Sequence, residues 1–427
     1  MIDREMAGRV RTEQDRLVAR YVNEHVYPYS NFYRPRLERA RLGNGQIKGV
    51  ADLSRLPFTE ATEITDATQL VLRPDPDGIG RSSSTRLALR LAFARTTGRL
   101  DKLNHELLEP DYKPIHWLYE NGAPIGYSAH DLERLAELGR QWLESAGLSP
   151  YDALVSIVPP GPHLGFWQLS LGARRGGVPS LFLPSTAPSD DIVHLDPTVL
   201  AGTPADLIGV LTELEDDGAT LEHVKTALVV GDLLDEESRR RLIGLLPPRA
   251  VVVSAFAPAG VRSLWVECRG GVGFHTSTDA DLVEIVDPSG MAVRAGSDGE
   301  LVYSSLGWKG TAVLRLRTGL HGRLIPGACP GCGRTSPRLR LAKALPRFAA
   351  VLEAHPEVVA WQAELRTVDG VEELLVYLTP SGSGHPGKLL RELDRELRVT
   401  QFVVLDLDDL DQRLSDSNDV KVLDLRR

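Results

Sequence analysis

Cysteine occurs only three times in 427 residues. So small and odd a complement excludes a disulfide framework and points to a reducing compartment, where clustered thiols more often bind metal. Positive charge is not in excess either: 49 Lys and Arg stand against 58 Asp and Glu, a formal net charge of -9. Polyanion binding needs clustered cations that displace counterions, so nucleic acid and an anionic membrane surface are excluded as partners. Long apolar runs are missing as well. The opening MIDREMAGRVRTEQDRLVARYVNEH is charged and amphipathic with no apolar h-region, and no later run is long enough to cross a bilayer. A cytoplasmic protein is expected. No internal repeat stands out.

What is present is a globular composition, 42% hydrophobic and 25% charged, at a length that suits a large core plus a smaller second domain. Ser128 and Asp131 form a capping-box pattern, and Leu132, Leu135, Leu143 and Ala146 an apolar stripe, which predicts a helix over SAHDLERLAELGRQWLESAG. DALVSIVPPGP then reads as a buried strand, HLGFWQLSLGARRGG as a helix closed by glycine, and VPSLFLPS as another strand. This βαβ pattern recurs through PTVLAGTPADLIGVLTELEDDG and TALVVGDLLDEESRRRLIGLLPPRAVVVSAF, so Asp232 falls just past a strand end, where parallel sheets place ligands. From about residue 266 the turns in DLVEIVDPSGMAVRAGSDGELVYSSL predict antiparallel sheet. LAKALPRF marks a boundary. The expectation is an α/β chain: residues 1–342 as a large layered α/β domain with a β-rich portion, and residues 343–427 as a small α+β domain. Trp117 and Trp167 are expected to pack into the core.

The order of NFYRPRLERARL, DLSRLPFTEATEIT, PTVLAGTPADL, VVGDLLDEESRRRL, DLVEIVDPSG, DGELVYSSL, LRLRTG and CGRTSPRL resembles the phenylacetate-CoA ligase branch of the adenylate-forming superfamily. The resemblance implies the adenylate-forming fold, in which a large domain holds ATP and a carboxylic acid and a small domain supplies a lysine. It implies an acyl-adenylate and then, usually, a CoA thioester.

Five departures from that pattern bear on ATP and magnesium. The family's phosphate loop is rich in glycine because backbone amides wrap polyphosphate only where side chains stay clear. Here RSSSTRLALRLAF offers Ser82, Ser83, Ser84 and Thr85 as hydroxyls with no glycine following, and a capped helix start explains that stretch more simply. In SAFAPAGVRS, Ala257 stands where the resemblance implies glycine, and Gly260 where it implies the magnesium-binding glutamate. Leu320 follows Arg317-Thr318-Gly319 at the position of the ribose-gripping aspartate, and an isobutyl group accepts no hydrogen bond. RLRLAKALPRFAAVLEAHPEV leads into the next helix with the hinge hairpin shortened or absent. Asn418 aligns with the catalytic lysine; Lys421 substitutes only if the tail shifts register. Loss of that lysine costs orders of magnitude in rate. Arg315, Arg317, Thr318 and Asp232 remain candidates for an anion or ligand, although paired strand arginines commonly join ion networks. His163 and His321 read more readily as surface or core histidines.

Cys268 and His275 bracket a glycine-rich turn in CRGGVGFH, and Cys329-Pro-Gly-Cys332 has the Cys-x-x-Cys spacing of a metal knuckle. If the two loops lie side by side, the four side chains make a Cys3His set, which suits zinc; some members of the branch carry a similar site in these loops. Four protein ligands leave no open position, so the zinc would be structural. The alternative is a simple turn with unligated thiols. The favoured expectation is a family member with impaired ATP-dependent activation that still binds a small carboxylic acid, an acyl group or a partner protein. The rivals are an active ligase with rearranged residues and a noncatalytic subunit of a biosynthetic complex.

Overall fold

Two extended stretches open the sheet structure: β1 (His116–Glu120) and β2 (Ala123–Tyr127) pair antiparallel as a hairpin. Only one face is covered. Leu118, Ile125 and Tyr127 are buried beneath it, whereas Trp117, on the outer face, is 40% exposed. The core position expected for Trp117 is therefore corrected: successive strand residues face opposite ways, and a two-stranded ribbon has a single packed side. Trp167 is half-buried, and its indole N–H donates to the Gly161 carbonyl at 2.9 Å.

The computed structural model describes the chain apart from residues 1, 65, 75–92, 94–95, 98–107, 121–122, 232, 288, 294–295, 342–350, 353–354, 356, 369–370, 382–385, 398, 417–421 and 425–427. The chain divides into two compact units, Met1–Leu341 and Ala342–Arg427.

In the larger unit, short apolar strands alternate with capped helices. Ser128 caps the helix Ala129–Ser145, with the reciprocal bond from Asp131 completing the capping box. β3 (Leu154–Ser156), the helix Leu164–Gly176 and β4 (Ser180–Phe182) follow, and Gly177 ends that helix in a left-handed turn. β5 (Val199–Gly202), β6 (Thr226–Gly231) and β7 (Val251–Phe256) extend the parallel sheet, joined by the helices Pro204–Asp216 and Glu236–Leu245. β6 is buried along TALVV because helices cover both faces. The pairing then turns antiparallel through β8 (Trp265–Glu267), β9 (Phe274–His275), β10 (Asp281–Val286), β11 (Gly299–Ser305), β12 (Leu316–Ile325) and β13 (Arg338–Leu341). All eleven belong to one sheet in the order β10-β11-β12-β13-β9-β8-β7-β6-β5-β3-β4.

The smaller unit stands on β14 (Val358–Val368), β15 (Val371–Pro380), β16 (Gln401–Val404) and β17 (Val422–Asp424), in the order β16-β15-β14-β17. Its core gathers Trp361, Val376, Leu378, Leu389 and Leu393. Among the described residues no helix is long and apolar enough to cross a membrane.

At the centre of the larger unit lies a fully buried ion pair. Arg262 Nη2 donates to Asp131 Oδ2 at 3.0 Å, and both side chains are 0% exposed. Arg262 also donates to Thr311 and to the Gly126 carbonyl, and its guanidinium stacks on Tyr127 and Trp308. Removing one partner of such a pair strands a charge without water. Arg262→Ala is therefore expected to destabilise the larger unit by about 3–5 kcal/mol, read from urea unfolding.

Candidate metal centre

The metal cluster is built where two glycine-bearing loops meet. Cys268 follows β8, and the Gly271 amide donates to its carbonyl at 2.9 Å to close the turn. His275 ends β9, where it pairs with Val266 on β8 and with Arg338 on β13. Cys329 and Cys332 sit on the loop between β12 and β13, held by Cys329 N to Arg334 O at 2.7 Å and Gly333 N to Cys329 O at 2.8 Å. The loops touch glycine to glycine. A Cβ on Gly270 would lie 2.5 Å from the Gly331 Cα, and one on Gly331 would lie 2.7 Å from the Gly270 Cα. Any side chain at either position would push the knuckle away from Cys268.

This approach brings one ligand atom from each of Cys268, His275, Cys329 and Cys332 within 4.8 Å of all the others. The Cys268 and Cys329 sulfurs are 3.7 Å apart, and Cys332 Sγ lies 3.5 Å from His275 Nε2. Tetrahedral zinc bonds of the usual lengths would separate two sulfurs by about 3.8 Å and a sulfur from a nitrogen by about 3.6 Å. The donor set and its spacing therefore fit a metal ion. Burial pushes the Cys268 thiol up to about 11 and the His275 imidazole down to about 4. Burial also acts to raise Cys329, but hydrogen bonds from the amides of Gly331 and Cys332 and from the Cys268 and Cys332 side chains together leave that thiol below its ordinary value. A bound cation would offset the cost of holding thiolates in so dry a place. Both loops rest on the end of the 129–145 helix: Arg334 donates to the Gln141 carbonyl, and the Arg269 amide to the Ser145 carbonyl.

The other candidates divide. Ser82, Ser83, Ser84, Thr85, Asp232, Asn418 and Lys421 lie outside the described residues. Arg317 and Thr318 are occupied: Arg317 Nε pairs with Glu300 at 3.2 Å while its guanidinium lies over Phe58, and Thr318 Oγ1 donates to the Leu301 carbonyl at 2.7 Å. Arg315 is buried in a second ion pair, with Glu284, and also donates to the carbonyls of Ser54 and Leu56. Each arginine is thus held by a carboxylate, Arg315 in the interior and Arg317 half-buried. His163 and His321 are exposed.

Residues 318–320 bulge from β12, because the register shifts between Val302↔Arg317 and Glu300↔His321. Leu320 leaves that bulge to pack against the core. Gly260 sits in a left-handed turn at φ +82, where a Cβ would lie 2.6 Å from Ile64 Cδ1 and 2.7 Å from Leu316 Cδ2. Reading the sequence did not find the Arg262–Asp131 pair or the Glu284–Arg315 pair; their partners lie 131 and 31 residues apart, and no local spacing signals them.

Known proteins share this architecture. No protein-family model matches the chain. The phenylacetate-coenzyme A ligase of Thermus thermophilus is 26% identical over 340 residues, covering 78% of this chain and 69% of the relative. That of Aromatoleum evansii is 24% identical, covering 71% and 64%. The chain spans about two thirds of the length of these curated relatives. A 2-hydroxyisobutyryl-CoA ligase, solved with 2-HIB-AMP and CoA, superposes at a TM-score of 0.60 with 17% identity, over 100% of this chain and 90% of the other. The chain is a relative of the phenylacetate-CoA ligases and has the adenylate-forming fold. In an open conformation the same 2-hydroxyisobutyryl-CoA ligase superposes at 0.62, over 95% of this chain.

Gly260→Glu, which introduces the residue type that the sequence resemblance implies here, is expected to destabilise the unit. Left-handed strain and overpacking against Ile64 and Leu316 each cost about 1–3 kcal/mol. A urea midpoint equal to that of the unsubstituted protein would refute this.

Proposed function

We propose that this phenylacetate-CoA-ligase-like chain keeps the family scaffold as a binder of a small carboxylic acid or acyl group, with ATP-dependent activation weakened or lost. The observation that carries this reading is the closed packing at Gly260 and Leu320. A carboxylate at either place would supply the oxygen that magnesium or the ribose hydroxyls need, and both places are filled by aliphatic side chains. Binding and activation make separate demands. An acid is held mainly by an apolar pocket with a few polar groups, whereas adenylation also needs the triphosphate oriented and its developing charge stabilised. A chain can lose the second and keep the first.

Zinc belongs to the same reading. Cys268, His275, Cys329 and Cys332 would hold it, and with four protein ligands it would supply no Lewis-acid chemistry, only a cross-link between the β8–β9 turn and the β12–β13 loop. The residues themselves keep the two loops in contact and exclude water from Cys268 and Cys329, which are 1% and 2% exposed.

A second reading, an active ATP-dependent carboxylate ligase with rearranged residues, is favoured by the activities in the names of its relatives. It would use Lys421 for transfer and the hydroxyls of residues 82–85 for phosphate. ATP–pyrophosphate exchange with phenylacetate, benzoate and short-chain acids separates the two. The expected result is exchange no faster than the acid-free control, and unchanged by Lys421→Ala. Robust exchange that Lys421→Ala abolishes would establish the ligase instead. The metal is checked by elemental analysis: about one zinc per chain is expected, and Cys268→Ser or Cys329→Ser should remove it. Free zinc at 100 times its dissociation constant would add about 2.7 kcal/mol of stability through linkage. Protein purified without metal and insensitive to zinc would sink this part.

A further inference from the structure

The two segments that carry the cysteine cluster contain cations and no anions. CRGGVGFH, residues 268–275, and CPGCGRTSPRLRL, residues 329–341, hold four arginines, Arg269, Arg334, Arg338 and Arg340, without one aspartate or glutamate. Arg269 and Arg340 are exposed, so water and salt screen them, and Arg334 is half-buried. Arg338 is the exception, at 5% exposed.

A guanidinium so far from water needs a carboxylate or a full set of acceptors. Arg262 and Arg315, the other buried arginines among the described residues, each face a carboxylate. Arg338 does not. Among the described residues it forms no ion pair, its Nη1 donates to the Val272 carbonyl at 3.3 Å, and its buried Nε has no hydrogen-bond partner.

The position of Arg338 in the sheet shows what stands beside it. β13 runs antiparallel to β9, with Arg338 directly opposite His275. Residues paired in this way send their side chains to the same face, with Cβ atoms about 5 Å apart. The Arg338 and Arg334 guanidiniums both act by charge on the His275 ring. Arg338 therefore lies on the face where His275 meets the three thiols.

Charge decides which state of the cluster suits Arg338. Protonated thiols and a neutral imidazole carry no charge. A divalent zinc ion held by three thiolates and a neutral imidazole leaves one negative charge in excess. Only the loaded cluster supplies the anion that Arg338 lacks, and in a dry interior their attraction is weakly screened.

We propose, on the reading of the cluster as a zinc site, that Arg338 is its built-in counter-ion: the buried guanidinium balances the excess negative charge of the zinc-bound thiolates. Metal loading and the burial of Arg338 then support each other. In the metal-free chain the same charge is uncompensated and works against the fold.

The test is zinc affinity of the full chain, measured by competition with a chromophoric chelator, together with urea unfolding of the metal-free forms. Arg338→Met, which keeps much of the side chain's length and loses its charge, is expected to weaken zinc binding at least about tenfold, as loss of an outer partner of metal ligands does. Arg340→Met removes the same charge from an exposed position on β13 and should change the affinity less than about twofold. Metal-free Arg338→Met should unfold at a urea midpoint equal to or above that of the metal-free unsubstituted protein, because an unpaired charge has left the interior. A residue needed only for packing would lower that midpoint. The inference is overturned if folded Arg338→Met holds zinc as tightly as the unsubstituted protein, if Arg340→Met weakens zinc equally, or if metal-free Arg338→Met is the less stable. An unsubstituted protein that takes up no zinc would sink the zinc reading and this inference together, whereas zinc retained with Arg338→Met indifferent sinks this inference alone.

Discussion

The structure of the larger unit depends on one carboxylate that has no access to water. Asp131 sits at the third position of the 129–145 helix, and its oxygens accept from Lys309 N at 2.8 Å, Gly310 N at 2.7 Å, Ser128 N at 3.3 Å and Arg262 Nη2 at 3.0 Å. A buried charge is tolerable only when its donors are all in place. The helix start, the segment carrying Arg262 and the loop before β12 are therefore fixed together. From its other end, about 25 Å away along a helix of 17 residues, the same helix supports both loops of the metal cluster. One rigid element thus sets the place of Gly260, two residues before Arg262, and the place of the thiols.

That coupling explains why Gly260 and Leu320 are closely packed. Arg262 cannot leave Asp131, so the turn at residues 257–263 keeps its course and brings the Gly260 Cα close to Ile64 and Leu316. Leu320 is drawn inward by the same logic: the bulge at 318–320 is stitched by the Thr318 hydroxyl, which donates to Leu301 O and accepts from Leu320 N at 3.2 Å. An acidic side chain at 260 would have to displace aliphatic groups that are 0–1% exposed. A single substitution at such a position meets a closed core before it meets any ligand.

Much of this fold is legible in the sequence because it is encoded at short range. The Ser128–Asp131 capping box, the glycine that ends the 164–176 helix, the alternating strands and helices from Leu154 to Phe256, and the antiparallel partners β10 and β11 all follow from spacings of two to four residues. The Cys3His set was legible for a different reason. Its composition is so restricted that one histidine and all three cysteines fall in two short turns. What the sequence hides is the choice of distant partner. Nothing near Arg262 announces Asp131, and nothing in DLVEIV announces that Glu284 will pair with Arg315. Trp117 was misjudged because hydrophobicity alone does not say whether a strand has neighbours on both faces. The register of β12 was hidden too, since its bulge depends on a glycine at φ +70 within a ten-residue strand.

The strands around the metal cluster are too short to hold themselves. β9 has two residues, and it pairs with β13 through two of them, so few ladder hydrogen bonds and little apolar area oppose fraying there. Against this, a cross-link from Cys268 to Cys329 spans 61 residues. By analogy with a disulfide closing a loop of that length, it would remove about 4 kcal/mol of chain entropy from the unfolded state. The glycine-to-glycine contact of Gly270 and Gly331 brings the ligands within range but adds almost no buried side chain of its own. Zinc in the proposed role would therefore act on the unfolded chain as much as on the folded one. It would hold the edges of β9 and β13 in register where packing alone is thin.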